Sequence, residues 1–254
     1  MSLTPPPPPS EGDRETGDPD AGQREPTASE LIGQAFGSAA RRAGLDPAKE
    51  ATTGHVVWAA MGGWRGVAES VLPGLAFVVV FVVSGQNLPL TVAIAVGLAL
   101  VFTTIRLIQR SPLTAAIGGL VATGAAAGLA LLTGRAEDNF LLGFITNTVY
   151  GSALLISALV GWSVIGLAVG FLMNEGVAWR ADRRKRRVFF WLTIAWAGLF
   201  FLRLAVQVPL YFAGEDAVAT LGTVKLVMGL PLFAPMIAVT WLAVRAVYAP
   251  RRVA

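Results

Sequence analysis

Apolar residues in this chain come in long unbroken runs rather than at the spacing of a soluble amphipathic helix. The runs cover residues 67–84, 88–105 and 113–133, a stretch that begins at Phe140, and then 188–212 and 221–248. A helix needs ~20 such residues to cross ~30 Å of hydrocarbon. Continuous runs also argue against the alternating pattern of a membrane β-barrel. The pattern therefore predicts an all-α, polytopic helical membrane protein with about six transmembrane helices. Gly85-Gln86-Asn87 makes a short turn between the first two, and 106–112 links the second to a third rich in glycine and alanine.

One run does not fit a single crossing. Residues 140–173 are apolar throughout, and as one helix they would extend ~51 Å. Two crossings would each be short and would move the next basic cluster across the membrane. The expected solution is one span ending near Val160, a break at Gly161-Trp162, and a segment 164–173 that lies in the interface or dips back into the membrane.

The chain divides at about residue 50. Residues 1–26 carry Pro5 to Pro9 and no apolar stretch of the signal-peptide kind, a composition expected to stay disordered. Thr27 to Glu30 has the form of a capping box. Leu31, Ile32, Ala35, Phe36, Ala39 and Ala43 follow at helical spacing. That helix either lies on the inner membrane surface or packs on the protein itself. The expected organisation is a disordered or amphipathic cytoplasmic tail over 1–50 and a transmembrane helical domain over 51–254.

Charge adds an orientation. Only 14% of residues are charged, against ~25% in soluble domains. On one side the loops hold Arg106, Arg110, the six bases from Arg180 to Arg187, Arg245, Arg251 and Arg252; on the other only Arg135, with Glu137, Asp138, Glu215 and Asp216. The positive-inside rule places the first set in the cytoplasm, so both termini are expected there, with the protein in the plasma membrane. Trp58, Trp64, Trp179, Trp191 and Trp241 fall near that inner interface. The net charge of +4 sets topology; no nucleic-acid partner is expected.

Candidate chemistry is sparse. There is no cysteine and one histidine, His55, ahead of the first span. Neither a metal set nor paired catalytic carboxylates are in view, so no metal, no cofactor and no enzymatic activity are expected. The residues that stand out are polar ones inside the runs. Arg203 lies nine residues, ~13 Å, from the outer end of the fifth span. Gln207 and Tyr211 follow it on one helix face. Asn147 is at similar depth in the fourth span with Tyr150 at i+3, and Lys225 is just inside the sixth. A charge at such depth costs at least ~2.5–3.5 kcal/mol unless paired or wetted. These six residues are expected to meet in the outer half of the bundle. Either they form a small outward-opening site for an anion or lipid head group, or they clamp three helices together with Asp138 or Glu215 as counter-charge. Glu69, at the inner end of the first span, is a candidate proton-coupling acid or a local partner of Arg65. Arg183, Arg184, Lys185, Arg186 and Arg187 form a basic loop that fixes topology or binds anionic lipid head groups. Gly124-xxx-Gly128 and Gly166-xxx-Gly170 permit close helix contact, within the chain or in a homo-oligomer.

Several of these residues carry a resemblance. Gly62-Gly63 through Glu69-Ser70 and Pro73 open it. Thr133-Gly134, Asp138, Phe140, Gly143, Asn147 and Tyr150 follow, then Arg203, Gln207 and Pro209-Leu210-Tyr211, and finally Lys225, Gly229 and Pro231-Leu232. Together they resemble the actinobacterial membrane proteins grouped as domain of unknown function 3159, over roughly residues 56–248. More distantly, Leu131-Leu132-Thr133, Tyr150, Ser157, Trp179, Trp196-Ala197, Phe200-Phe201 and Lys225 resemble intracellular septation protein A of the bacterial envelope machinery. The chain lacks that family's basic, Trp-bearing turn before the fourth span. The first resemblance implies no activity. The second implies an envelope role.

The expectation is thus a non-enzymatic scaffold or accessory factor of the cell envelope, with the lipid bilayer and membrane proteins as partners. The alternative is a small transporter or channel with a polar site around Arg203. A scaffold calls for a filled interior, a transporter for a path to Arg203. The orientation has its own test. Topology reporters fused at Ala136, Arg184 and Ala217 should read outside, inside and outside; an external signal at Arg184 would overturn it.

Overall fold

A computed structural model of the chain describes residues 63–108 and 113–249, with Gly54 and Trp58. The 1–50 tail, its predicted helix, His55, Arg110, Arg251 and Arg252 lie outside the described residues. Glu69 stands in a described helix, but its side chain, like that of Arg65, is outside them.

Among the described residues every regular element is helical. α1 (Gly63–Val83) and α2 (Leu88–Ile108) form a hairpin. Gly85 and Gln86 turn the chain with positive φ, and the Asn87 side chain accepts from Leu90 N at 3.1 Å to start α2. Asparagine suits this role because its short carbonyl reaches the free amides of a first turn. α3 (Leu113–Thr133) leads through a 3-10 turn (Ala136–Phe140) into α4 (Leu141–Leu159). α5 (Val164–Leu172), α6 (Arg183–Phe212), α7 (Val218–Val227) and α8 (Leu230–Tyr248) complete the chain.

Five stretches are long and apolar enough to cross a membrane: Gly66–Val83, Leu88–Ile105, Ala136–Leu159, Arg183–Phe212 and Glu215–Tyr248. The remaining predicted span is α3, whose described apolar part is Gly118–Thr133. Large side chains such as Val83, Leu132, Ile145, Ile156 and Leu159 point outward, as lipid-facing residues should. The chain is therefore a multi-pass helical membrane protein. One end of the bundle carries Glu137, Asp138, Glu215 and Asp216 and is called the acidic end; the other carries Arg180 to Arg187 and is called the basic end.

α5 resolves the awkward 140–173 run. Gly161 turns the chain at φ +79°, and Ser163 caps the new helix by accepting from Gly166 N. At nine residues, α5 rises only ~14 Å and is too short to cross. The Ser163 hydroxyl also donates to Phe189 O (2.9 Å) and meets Thr193 Oγ1 at 2.6 Å, which pins α5 to α6.

Three sequence expectations are corrected. The sixth span is not continuous: it breaks at Met228–Gly229 between α7 and α8. Pro231 has no amide to donate one turn back, which weakens a continuous helix at this point. Gly229 takes ψ −123°, and its carbonyl instead accepts from Leu232 N and Phe233 N to begin α8. The basic loop is in fact the first turn and a half of α6. Asp182 makes this possible by accepting from the amides of Arg184 and Lys185. At 30 residues α6 is ~45 Å long, so its basic end extends beyond ~30 Å of hydrocarbon. Trp179, expected at the interface, is 1% exposed. Its indole lies against Gly166 and Gly170 and edge-on to Phe189.

Two clusters hold the bundle, one near each end. Near the acidic end, Phe77 and Phe81 of α1, Phe140, Phe144 of α4, and Val218 and Leu221 of α7 pack together with Val92 and Ala95 of α2. Near the basic end, Val169, Trp179, Phe189, Leu192 and Val244 join α5, α6 and α8. Around the bundle α3 packs on α2, α2 on α1, α1 on α7, α7 on α6 and α6 on α4. The 3-10 turn links α3 to α4 at the acidic end, and α8 rests on α6 and α7. Among the described residues α1, α2 and α3 make no substantial contact with α5 or α8.

The two glycine motifs differ. A Cβ at Gly166 would stand 2.8 Å from the Trp179 ring, and one at Gly170 would collide with Gly176 O, whereas Gly124 and Gly128 face open space. Gly170→Ala should therefore lower the melting temperature of the detergent-purified protein, by the ~1–3 kcal/mol typical of overpacking. Gly128→Ala should leave it unchanged or raise it. Equal melting curves for the two variants would refute this account.

Candidate functional site: a cationic cavity within the membrane

Between the two packed clusters lies a cavity of about 760 Å³. α1 and α2 wall one side, with α3 beside them; α4 and α6 form the other, and the α7–α8 break faces it at Gly229 and Leu230. The Phe77, Phe140 and Ala127 side of the acidic-end cluster roofs it. From α8 the described lining takes Leu230 and Phe233, and from α5 none.

Among the described residues, two charged side chains line this space, Arg203 of α6 and Lys225 of α7, and no carboxylate does. Both face the same space. The Lys225 ammonium lies 4.8 Å from the centre of the Phe140 ring, and the Arg203 guanidinium 5.5 Å from that of Phe233. Such cation–π contacts recover part of what a charge loses on leaving water. They do not satisfy its hydrogen bonds, and Arg203 Nε is buried with no acceptor. Neither cation has an acidic partner among the described residues. The expected counter-charges are placed elsewhere: Asp138 accepts from Tyr211 and Glu215 is exposed.

The remaining members of the predicted cluster fall around the cavity rather than in it. Gln207 is buried one turn from Arg203, with Nε2 unpaired. Asn147 is also buried, but its amide donates to Gly143 O of its own helix at 2.8 Å. Tyr150 is 55% exposed, its ring against Phe200. Spacing placed these residues at one depth. The chain's packing then decided which of them face inward.

Tyr211 belongs to a second assembly over the roof. Its hydroxyl donates to Asp138 at 2.6 Å. Arg135 bonds Glu137 at 2.9 Å and sits over the Tyr211 ring. The hydrogen bond and charge of Glu137 hold the Arg135 guanidinium above its ordinary pKa. Both carboxylates are nearly fully buried, so this clasp joins α6 to the 3-10 turn at the acidic end.

At the basic end, two of the five predicted lipid-binding bases are occupied within the protein. Lys185 Nζ contacts both Glu175 oxygens at 2.6 and 2.8 Å and lies over the Tyr248 ring, and Tyr248 donates to the same carboxylate. Arg184 donates to Ala246 O in the last turn of α8, where a cation suits the helix dipole. Arg183, Arg186 and Arg187 are exposed. Sequence reasoning missed Phe140 and Phe233, the rings that seat the cations, and the break at Gly229. Gly229-Leu230-Pro231 was the available signal for the break. Aromatic rings within apolar runs carry no such mark.

A multi-pass helical bundle with a charged internal cavity defines the class. The family model described as "Protein of unknown function (DUF3159)" matches residues 61–251, and the chain belongs to that family. No curated protein and no solved structure matches it.

The clasp makes a prediction. Tyr211→Phe leaves a buried carboxylate without its donor and should lower stability by ~1.5–3 kcal/mol, the range for hydrogen bonds to charged groups. Melting of Tyr211→Phe, Asp138→Asn and the double variant should show coupling, with the double no worse than the poorer single. Additive losses would show that the pair does not act as a unit.

Proposed function

We propose that this protein is a carrier or receptor that binds an anion inside the membrane, with Arg203 and Lys225 as the binding cations. The carrying observation is the cavity itself: among the described residues two cations face it and no acid does. A site evolved only to brace helices would favour opposite charges, because an unpaired charge in hydrocarbon is costly. A bound anion would supply what the protein leaves out. The scaffold reading called for a filled interior, and the cavity favours the transporter-like alternative over it. The envelope role rests on the resemblance to septation protein A alone.

The rest of the proposal follows the loop charges. The basic end is cytoplasmic, the membrane is the plasma membrane, and the protein is not an enzyme. Arg183, Arg186 and Arg187 are then placed to meet anionic lipid head groups at ~1 kcal/mol per base. In this orientation the roofed end faces outward. Glu69 stays a candidate coupling acid, at the cytoplasmic end of α1.

The test is ligand-dependent stability. Dodecyl phosphate and dodecyl sulfate, added at sub-micellar concentration to protein in a neutral detergent, should raise the melting temperature; a neutral dodecyl maltoside supplement should not. At ~100-fold excess over Kd the gain is ~2.7 kcal/mol. Arg203→Gln and Lys225→Gln should fold, express and lose the shift. If no anion stabilises the protein and Arg203→Leu mainly lowers expression and melting temperature, Arg203 is a structural brace and the proposal fails.

A further inference from the structure

We infer that the ligand of this cavity is an amphiphile: a phosphate-type head group of more than one negative charge, held by Arg203 and Lys225, on a long alkyl chain that runs along the apolar wall of the cavity and out between the helices. This rests on the anion-binding reading and names the class of anion.

The walls exclude a small hydrated anion as the natural occupant. Besides the two cations, the polar side chains of the lining among the described residues are Thr103, Thr123, Thr146 and Asn139. Thr103 and Thr146 already donate their hydroxyls to carbonyls of their own helices, at 2.8 and 2.6 Å. A small anion fully stripped of water would lack donors around most of its surface, and desolvating such an ion is expensive. The volume points the same way. About 760 Å³ belongs with pockets for drug-sized molecules, which span ~300–1,000 Å³, and far exceeds what one inorganic anion fills.

The shape suits a chain. The lining follows α2 from Ala95 to Thr103 and reaches the acidic end at Asn139. Ala95 to Thr103 is eight residues along α2, or ~12 Å, close to the ~15 Å of one leaflet's hydrocarbon. Val71, Phe102 and Leu120 make the part beyond the cations apolar. The wall helices α1 and α2 are long and apolar enough to stand in the bilayer, so a chain that enters between helices need not leave hydrocarbon.

The head is set by the cations. Two neighbouring positive charges repel when alone, and a ligand with a single charge neutralises only one of them. A phosphate monoester carries close to two charges and several acceptor oxygens. Arg203 can offer its planar fork to two of those oxygens, and Lys225 a mobile point charge to a third. A carboxylate-headed chain matches the tail equally well but leaves one cation unpaired.

A chain-length series decides between the parts of this inference. Binding to the full-length protein in neutral detergent would be measured for inorganic phosphate, butyl phosphate, dodecyl phosphate and dodecanoate. Dodecyl phosphate should bind at least about tenfold more tightly than dodecanoate, one charge-assisted contact being worth about that factor, and at least about tenfold more tightly than butyl phosphate, because its eight additional CH2 groups are buried against the wall. Ala99→Phe and Thr123→Phe, which fill the wall without touching the cations, should remove the preference for the long chain and keep butyl phosphate binding. Arg203→Gln should weaken both phosphates. Equal affinity for inorganic, butyl and dodecyl phosphate would leave anion binding standing and overturn the amphiphile. Equal affinity for dodecanoate and dodecyl phosphate would overturn the doubly charged head. Dodecyl phosphate binding that survives Arg203→Gln with Lys225→Gln would place the ligand elsewhere and refute the site.

Discussion

A charge buried in hydrocarbon must be given surroundings that replace water, and the architecture of this protein follows from how it meets that demand for Arg203 and Lys225. Lipid would leave their hydrogen bonds unmade, and a carboxylate partner would close them off. The fold does neither. It seats each cation beside an aromatic ring, Phe233 for Arg203 and Phe140 for Lys225, and turns both toward a common hollow. The rings limit the cost without consuming the charges.

Keeping a hollow open requires packing to be concentrated elsewhere. The acidic-end cluster and the Trp179 cluster do this, one on each side. Each is secured by a polar lock at the level where water returns: Tyr211 with Asp138 at one end, and Glu175 with Lys185 and Tyr248 at the other. Within the spans most hydroxyls turn back to their own helix, as Thr91, Thr104, Thr148 and Thr223 do. They ask nothing of neighbouring helices, which is why a few interhelical contacts, such as Trp196 to Thr240, carry the specificity.

The sequence made the helical membrane class plain, because apolar run length is fixed by bilayer thickness and needs no tertiary information. It also located the Gly161 turn and singled out Arg203 and Lys225, since charge inside such a run is conspicuous. It did not disclose which polar residues share a space. Asn147 and Arg203 are level in depth, yet Asn147 bonds its own helix, an outcome set by side-chain rotamers and local packing. Nor did composition show that Asp138 and Glu137 are buried: acids beside a turn look the same whether solvated or clasped. Trp179 misled for a related reason. A tryptophan near a membrane end usually faces the lipid boundary, but here two glycines one helical turn apart leave a slot that the indole fills.

The interruption at Met228–Gly229 has a mechanical meaning. α7 packs on α1 as well as α6, while α8 packs on α6 and α7. An unbroken rod would present one straight edge to the hollow. The break instead lies at the hollow itself, four residues from Lys225, so the stretch of chain that interrupts the wall is also the one that brings an ammonium into it.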